Sequence, residues 1–172
     1  LKPDGHCYIM CDQETHYVIR DVCMAMQAQK PKPKNAFAWK KFPVWDKVNM
    51  GTGYSWRAQH EVVCFLEKGY RRLNSNSWSD VLKHKKVYNG YPTEKPVSLY
   101  KEIIENSSQP GDVIFDPFAG SGAGLEAACE AGRHAIGIEI KASQAPSIAS
   151  RLEQYTASDE LFVAREQMAF AL

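Results

Sequence analysis

The stretch PGDVIFDPFAGSGAG, residues 110–124, decides the fold, because it combines a strand, a glycine-rich turn and the start of a helix. The apolar run at 112–115 predicts a short strand that is covered on both faces. Three glycines follow it, and the residues at 125–131 are good helix formers. Gly132 then predicts the end of that helix. This order of elements indicates a βα unit of an open α/β sheet.

The turn between this strand and this helix is predicted to bind a ligand. Glycines allow the backbone to approach a ligand closely, and ligands of open α/β sheets bind beyond the carboxyl ends of the strands. A phosphate-binding P-loop is excluded because no lysine follows the glycines, and the dinucleotide pattern G-x-G-x-x-G is excluded because position 125 is Leu. What remains is Asp116 at the strand end, a carboxylate that suits a ligand with a cationic portion.

The next apolar run, RHAIGIEI at 133–140, predicts a second strand with Glu139 near its end. An acidic side chain at this place can accept both hydroxyls of a ribose. S-adenosylmethionine has an ammonium, a sulfonium and a ribose, so it fits both carboxylates. The alternative is an ordinary βαβ unit with surface acids, but the ordered combination of strand, glycine turn, helix and second acid favours the ligand site.

Three motifs resemble those of amino-group DNA methyltransferases. DPFAGSG at 116–122 resembles the cofactor motif of that family, and YPTEKPVSL at 91–99 resembles the motif hPTxKPxxL that precedes it. GIE at 137–139 is similar to the ribose-binding position. The order of the motifs resembles the permuted β arrangement, in which the catalytic half comes first. The resemblance extends over residues 1–155.

This resemblance implies an α/β, Rossmann-like methyltransferase fold, with a mostly parallel seven-stranded sheet and helices on both faces. Within one structural domain, we expect residues 1–69 to be the remainder of the catalytic half. Residues 70–90 would be a short target-recognition segment, and 91–172 the cofactor-binding half. The cofactor implied is S-adenosylmethionine, and Thr93 and Lys95 can donate to its carboxylate. The cofactor-binding residues implied are Thr93, Lys95, Pro96, Asp116, Pro117, Phe118, Ala119, Gly120, Ser121, Gly122 and Glu139.

Aromatic and basic residues before the cofactor half predict contacts to DNA. The loop at 51–57 and the strand at 60–69 resemble later motifs of the catalytic half, where aromatic side chains can stack on a flipped base. Basic side chains interleaved with Trp78 suit contacts to the phosphate backbone. Simple packing of the aromatics and a solvated basic loop are the alternatives. The residues predicted are Tyr54, Trp56, Arg57, Arg71, Arg72, Lys83, Lys85 and Lys86.

The composition of the 172 residues is that of a globular chain, with 44% hydrophobic and 24% charged residues. The net charge of +1 means that binding of a polyanion must depend on local patches. Five cysteines without C-x-x-C spacing favour free thiols in a reducing cytosol over a zinc site at Cys7 and Cys11. No metal site is predicted. No apolar run is long enough to span a membrane, so we expect a cytoplasmic protein of a prokaryote or a phage.

The catalytic tetrapeptide of the family, Asp-Pro-Pro-Tyr or a close variant, does not occur in this sequence. In the permuted order it is expected before Leu1, and the chain opens on a loop-like sequence rather than on Met. We therefore expect upstream residues that supply a central strand, because its removal would leave open sheet edges.

The expected function is transfer of a methyl group from S-adenosylmethionine to the exocyclic amine of adenine in double-stranded DNA. Adenine is preferred because most members that resemble this arrangement are adenine-directed. Methylation of cytosine at N4 and a catalytically inert cofactor- or DNA-binding module are the alternatives. The recognition sequence, a nuclease partner of a restriction–modification system and the oligomeric state, including a homodimer, are left open; no membrane partner is expected.

Overall fold

The computed structural model describes residues 1–34, 36–88, 91 and 93–155, together with the backbone of 168–171. It divides into two compact units, Leu1–Lys85 and Lys86–Leu172. Pro92 of the predicted cofactor motif and the last two residues of the predicted recognition segment lie outside the described residues. The boundary between the units falls within that predicted segment.

The first unit is a five-stranded sheet with one helix. Its elements are β1 (Gly5–Cys11), α1 (Thr15–Ala28), β2 (Ala38–Lys41), β3 (Val44–Asp46), β4 (His60–Lys68) and β5 (Val81–Lys83). The strand order is β1-β4-β3-β5, and β2 also pairs with β4. All pairs are antiparallel except β3 with β5. β4 is central to the unit, and its buried run at 62–67 agrees with this position.

The helix of the first unit begins just after an aspartate that accepts hydrogen bonds from the backbone. Oδ1 of Asp12 accepts hydrogen bonds from the backbone N–H groups of Glu14 at 2.9 Å and Thr15 at 2.7 Å. These bonds satisfy donors that have no partner within the helix. His16 and Cys23 are the buried side chains of α1.

The second unit contains the predicted strand–turn–helix–strand sequence. Its elements are α2 (Val97–Ser107), β6 (Val113–Asp116), α3 (Ala123–Glu130), β7 (His134–Glu139), α4 (Ala145–Leu152) and β8 (Met168–Ala171). β7 lies between β6, to which it is parallel, and β8, to which it is antiparallel. The parallel pair with α3 between its strands is the βαβ unit predicted from the glycine turn.

The prediction that the strand before the glycine turn is covered on both faces is wrong for the described residues. Ile114 packs against the core cluster that includes Leu125 and Ile148. Val113 and Phe115 point to the opposite face and are each 54% exposed. Successive side chains of a strand alternate between faces, so β6 buries only the face that meets this core.

The α/β class is confirmed, and the strands are distributed over two sheets. The described residues form one five-stranded and one three-stranded sheet rather than a continuous seven-stranded layer. Parallel pairing is restricted to β3 with β5 and β6 with β7. No helix within the described residues is long and apolar enough to cross a membrane.

Candidate functional site

A pocket of about 640 Å³ lies in the second unit, where β6 and β7 end. Eight of the predicted cofactor residues line it: Thr93, Lys95, Pro117, Phe118, Ala119, Gly120, Ser121 and Glu139. Seven residues that were not predicted complete the lining: Tyr91, Glu94, Tyr100, Ala123, Ile138, Ile140 and Ala142. Three predicted residues, Pro96, Asp116 and Gly122, are not part of the lining.

The turn after β6 is held to β7 by backbone hydrogen bonds. The N–H of Ala119 donates to the carbonyl of Ile138 at 2.9 Å, and the N–H of Gly122 donates to the carbonyl of Ala119 at 2.7 Å. Gly120 has φ +54°, and a Cβ there would lie 3.4 Å from the hydroxyl oxygen of Tyr91. A side chain at this position would therefore have a strained backbone conformation, and its Cβ would contact a residue that lines the pocket.

Glu139 is buried, and both of its carboxylate oxygens hold the pocket backbone. Oε2 accepts the N–H of Gly120 at 2.8 Å, and Oε1 accepts the N–H of Lys141 at 2.8 Å. A carboxylate has about four lone-pair sites, so each oxygen can accept a further hydrogen bond from a ligand hydroxyl. The predicted ribose contact is thus compatible with a structural role that the sequence did not reveal.

Asp116 lies beneath the turn rather than in the pocket wall. Its Oδ1 accepts the N–H of Phe118 at 3.0 Å, which fixes the first bend after β6. Burial raises the pKa of its carboxyl, the bond from Phe118 opposes that rise, and the negative charge of Glu139 adds to it. Direct contact of Asp116 with a cofactor stays a prediction.

Two apolar side chains in the pocket lining are almost fully exposed. Phe118 is 87% and Ile140 95% exposed. Exposed apolar side chains beside a pocket offer surface on which a flat ring can be buried. Phe118 was predicted from the sequence and Ile140 was not. Ile140 could have been found, because it directly follows Glu139, the residue predicted to bind the ribose.

The donor set of the pocket fits S-adenosylmethionine. Lys95 and Thr93 supply donors for a carboxylate, and Glu139 supplies acceptors for hydroxyls. Phe118 and Ile140 supply apolar surface for a ring. The pocket volume lies within the range of roughly 300–1,000 Å³ that is typical of small-molecule sites.

A family profile described as DNA methylase matches residues 1–150 of the chain. The chain belongs to the DNA methylase family. Among its relatives, YubD of Escherichia coli (strain K12), which is named as a methylase, is 38% identical over 114 residues, or 64% of this chain. The DNA adenine methyltransferase YhdJ of the same strain is 53% identical over 53 residues, or 31% of this chain. The type II methyltransferase M.EcaI of Enterobacter cloacae is 45% identical over 62 residues, or 36% of this chain.

These matches span less than half of each curated relative: 44% of YubD, 18% of YhdJ and 14% of M.EcaI. Among solved structures, the complex of M1.HpyAVI with S-adenosylmethionine is similar to this chain, with a TM-score of 0.74 and 26% identity. That similarity covers 88% of this chain and 77% of the other. TTHA0409 of Thermus thermophilus shares the fold, with a TM-score of 0.68, 19% identity and coverage of 92% and 72%. The predicted Rossmann-like methyltransferase fold is confirmed.

The predicted DNA contacts are mostly exposed side chains of the first unit. Tyr54 and Trp56 are fully exposed. Arg71 is half-buried, and its carbonyl accepts a hydrogen bond from Nε2 of His6 at 3.0 Å. Arg57, Arg72, Lys83 and Lys85 are exposed, whereas Lys86 belongs to the second unit. Their contacts to DNA stay a prediction.

All five cysteines of the chain are free thiols. The Sγ atoms of Cys11 and Cys64 are 3.7 Å apart, and burial raises the pKa of the Cys64 thiol to about 12. A thiol with so high a pKa is a poor nucleophile and a poor metal ligand. Within the described ranges, His, Cys, Asp and Glu side chains form no group of three that could hold a metal ion.

Proposed function

We propose that the protein is an S-adenosylmethionine-dependent DNA methyltransferase that modifies the exocyclic amine of adenine. The observation that carries this proposal is the pocket beyond β6 and β7, where Glu139, Lys95 and Phe118 provide three different kinds of contact. Membership of the DNA methylase family supports DNA as the substrate. The names of YhdJ, an adenine methyltransferase, and of M1.HpyAVI in complex with S-adenosylmethionine support the base and the cofactor.

In the proposed function, different residues of the pocket bind different parts of the cofactor. Glu139 accepts the ribose hydroxyls, and Thr93 and Lys95 donate to the carboxylate of the methionine end. Phe118 and Ile140 cover the adenine ring, which removes apolar surface from water. When bound, the cofactor supplies a methyl group that is activated by its attachment to a sulfonium. Asp116 holds the turn that carries Phe118 in place.

The proposed partner is double-stranded DNA in the cytoplasm of a bacterium. Arg71, Arg72 and the lysines that follow would contact phosphates, which position a protein on the duplex without reading its sequence. Tyr54 and Trp56 would stack on bases. Full exposure of both rings supports this role, because a packing role would have buried them.

The proposal is tested by a methyl-transfer assay on the full-length protein. The assay uses radiolabelled S-adenosylmethionine and unmethylated duplex DNA, with nucleoside analysis of the product. Label in N6-methyladenine is the expected result. Label in N4-methylcytosine would replace adenine by cytosine, and measurable cofactor binding without label would favour an inert binding module.

A second experiment tests whether the cofactor binds in this pocket. Glu139→Gln is expected to weaken cofactor binding at least about tenfold, because a charged acceptor of hydrogen bonds becomes neutral. Glu153→Gln changes an exposed glutamate that does not line the pocket and should leave affinity unchanged. Titration calorimetry of both variants measures the difference, and equal affinities would contradict the site.

A further inference from the structure

One guanidinium group in the second unit joins three segments that are distant in sequence. Nη2 of Arg151, in the last turn of α4, donates to Oε1 of Glu94 at 2.7 Å. Its Nη1 lies 3.1 Å from Oε2 of Glu126, in the first turn of α3, as an ion pair without hydrogen-bond alignment. The side chain of Glu94 is 4% exposed, and those of Arg151 and Glu126 are each 19% exposed.

Glu94 is the link between this ion pair and the pocket. It lies between Thr93 and Lys95, and all three residues line the pocket. The residues at 93–96 precede α2 and belong to neither a helix nor a strand. The ion pair of Glu94 with Arg151 therefore restrains Thr93 and Lys95, because these residues are not held by the regular hydrogen bonds of a helix or a strand.

Arg151 compensates the negative charges of the glutamates that surround it. Burial raises the pKa of the Glu126 carboxyl, the Arg151 cation opposes that rise, and the negative charges of Glu130 and Glu94 add to it. Without the guanidinium, Glu94 would be a buried carboxylate facing a second one. A buried charge without a partner is strongly unfavourable, so the side chain would turn to water and move its neighbours.

We propose that Arg151 is a positioning residue for the cofactor pocket, which acts through Glu94 to hold Thr93 and Lys95 where they can donate to the ligand. This inference rests on the proposed function. Arg151 does not line the pocket; it lines a second cavity together with Glu94 and Glu126. An arginine suits this role better than a lysine, because its fork presents two nitrogens to two carboxylates.

The first test is cofactor affinity of the full-length protein, measured by calorimetry with S-adenosylmethionine and with S-adenosylhomocysteine. Arg151→Gln should raise the dissociation constant at least about tenfold, the range expected for loss of a charged hydrogen bond. Adding Glu94→Gln to Arg151→Gln should recover part of that loss, because no uncompensated carboxylate remains at 94. Arg151→Lys, which keeps the charge and should fold, is expected to lie between wild type and Arg151→Gln.

Arg133→Gln is the matched control for stability. Arg133 is a buried arginine of the same unit whose guanidinium donates to the carbonyl of Ser108 at 2.7 Å, and it does not line the pocket. This variant should lower the unfolding temperature without changing affinity. If the Arg151 variants lose stability but bind as tightly as wild type, Arg151 is only a structural residue and the inference is wrong.

Hydrogen exchange of the ligand-free protein separates this inference from the proposed function. Arg151→Gln should speed amide exchange at Thr93, Glu94 and Lys95 more than Arg133→Gln does. If wild type binds no S-adenosylmethionine, the proposed function fails, and the positioning of a cofactor fails with it. If wild type binds and neither exchange nor affinity responds to Arg151, only the inference is overturned.

Discussion

At the scale of single residues, the two acids that the sequence identified have different surroundings. Glu139 is held by two backbone N–H groups, whereas Asp116 accepts one and is largely desolvated. Burial is the main reason why the pKa of the Asp116 carboxyl is raised. A carboxyl whose pKa is higher in the folded chain stabilises the fold most below its unfolded pKa. That contribution is lost as pH rises through the folded value.

Asp116→Asn should therefore stabilise the ligand-free protein at neutral pH. The amide oxygen can still accept the N–H of Phe118, and the cost of burying a charge is removed. The gain should vanish below the ordinary aspartate pKa of 3.8, where Asp116 is already protonated. Thermal unfolding at both pH values measures this difference.

Asp80→Asn is the contrasting control for that measurement. A hydrogen bond and the charge of Lys41 lower the pKa of the Asp80 carboxyl. Its contribution to stability is therefore present above the unfolded pKa and is lost as pH falls through the folded value, so the substitution should destabilise at neutral pH. If Asp116→Asn destabilises the protein at neutral pH as Asp80→Asn does, the burial of a charge at Asp116 is contradicted.

At the scale of elements, the pocket depends on the close approach of α3 to β7. A Cβ at Gly137 of β7 would lie 2.5 Å from Cδ1 of Leu125 and 3.2 Å from Cβ of Ala119. Leu125 is fully buried, and Ala119 lines the pocket. The absence of a side chain at Gly137 thus lets the helix pack on the strand while the turn between β6 and α3 keeps its position.

Gly137→Ala should lower the free energy of unfolding by about 1–3 kcal/mol, the usual cost of overpacking a core. Urea denaturation measures this decrease. Leu125→Ala in the same chain should relieve the clash, so the double variant should be more stable than the sum of the two single effects predicts. Additive effects would mean that the two side chains do not meet.

At the scale of the whole molecule, the net charge of +1 gives no general attraction to DNA. Affinity for the phosphate backbone must therefore come from local groups, for which we propose Arg71 and Arg72. Both precede β5 in a part of the first unit without regular secondary structure. A segment of this kind can follow the backbone of a ligand without disturbing the sheet.

Replacing Arg71 and Arg72 by Gln should weaken DNA binding and reduce the slope of log affinity against log salt by about 0.9 for each phosphate that is no longer neutralised. Fluorescence anisotropy over a salt series measures both quantities. Arg20→Gln is the matched control, because Arg20 of α1 forms a surface ion pair with Asp21. An unchanged slope in the double variant would show that this segment does not contact DNA.

The sequence by itself determined the strand–turn–helix–strand order of the second unit and most of one pocket wall. The turn at 117–121 and Glu139 were identified from the sequence and line the pocket, because glycine conformation, helix propensity and the end of a strand are local properties. The position of β4 was predictable for the same reason.

Only the tertiary structure decided which distant residues meet. Tyr91, Tyr100 and Ile140 join the pocket, and Arg151 reaches Glu94 across 57 positions, because helices bury their apolar faces against one sheet. The exposure of one face of β6 and the division into two sheets also depend on long-range pairing. Local propensity carries no information about such contacts, since they form only when whole elements pack together.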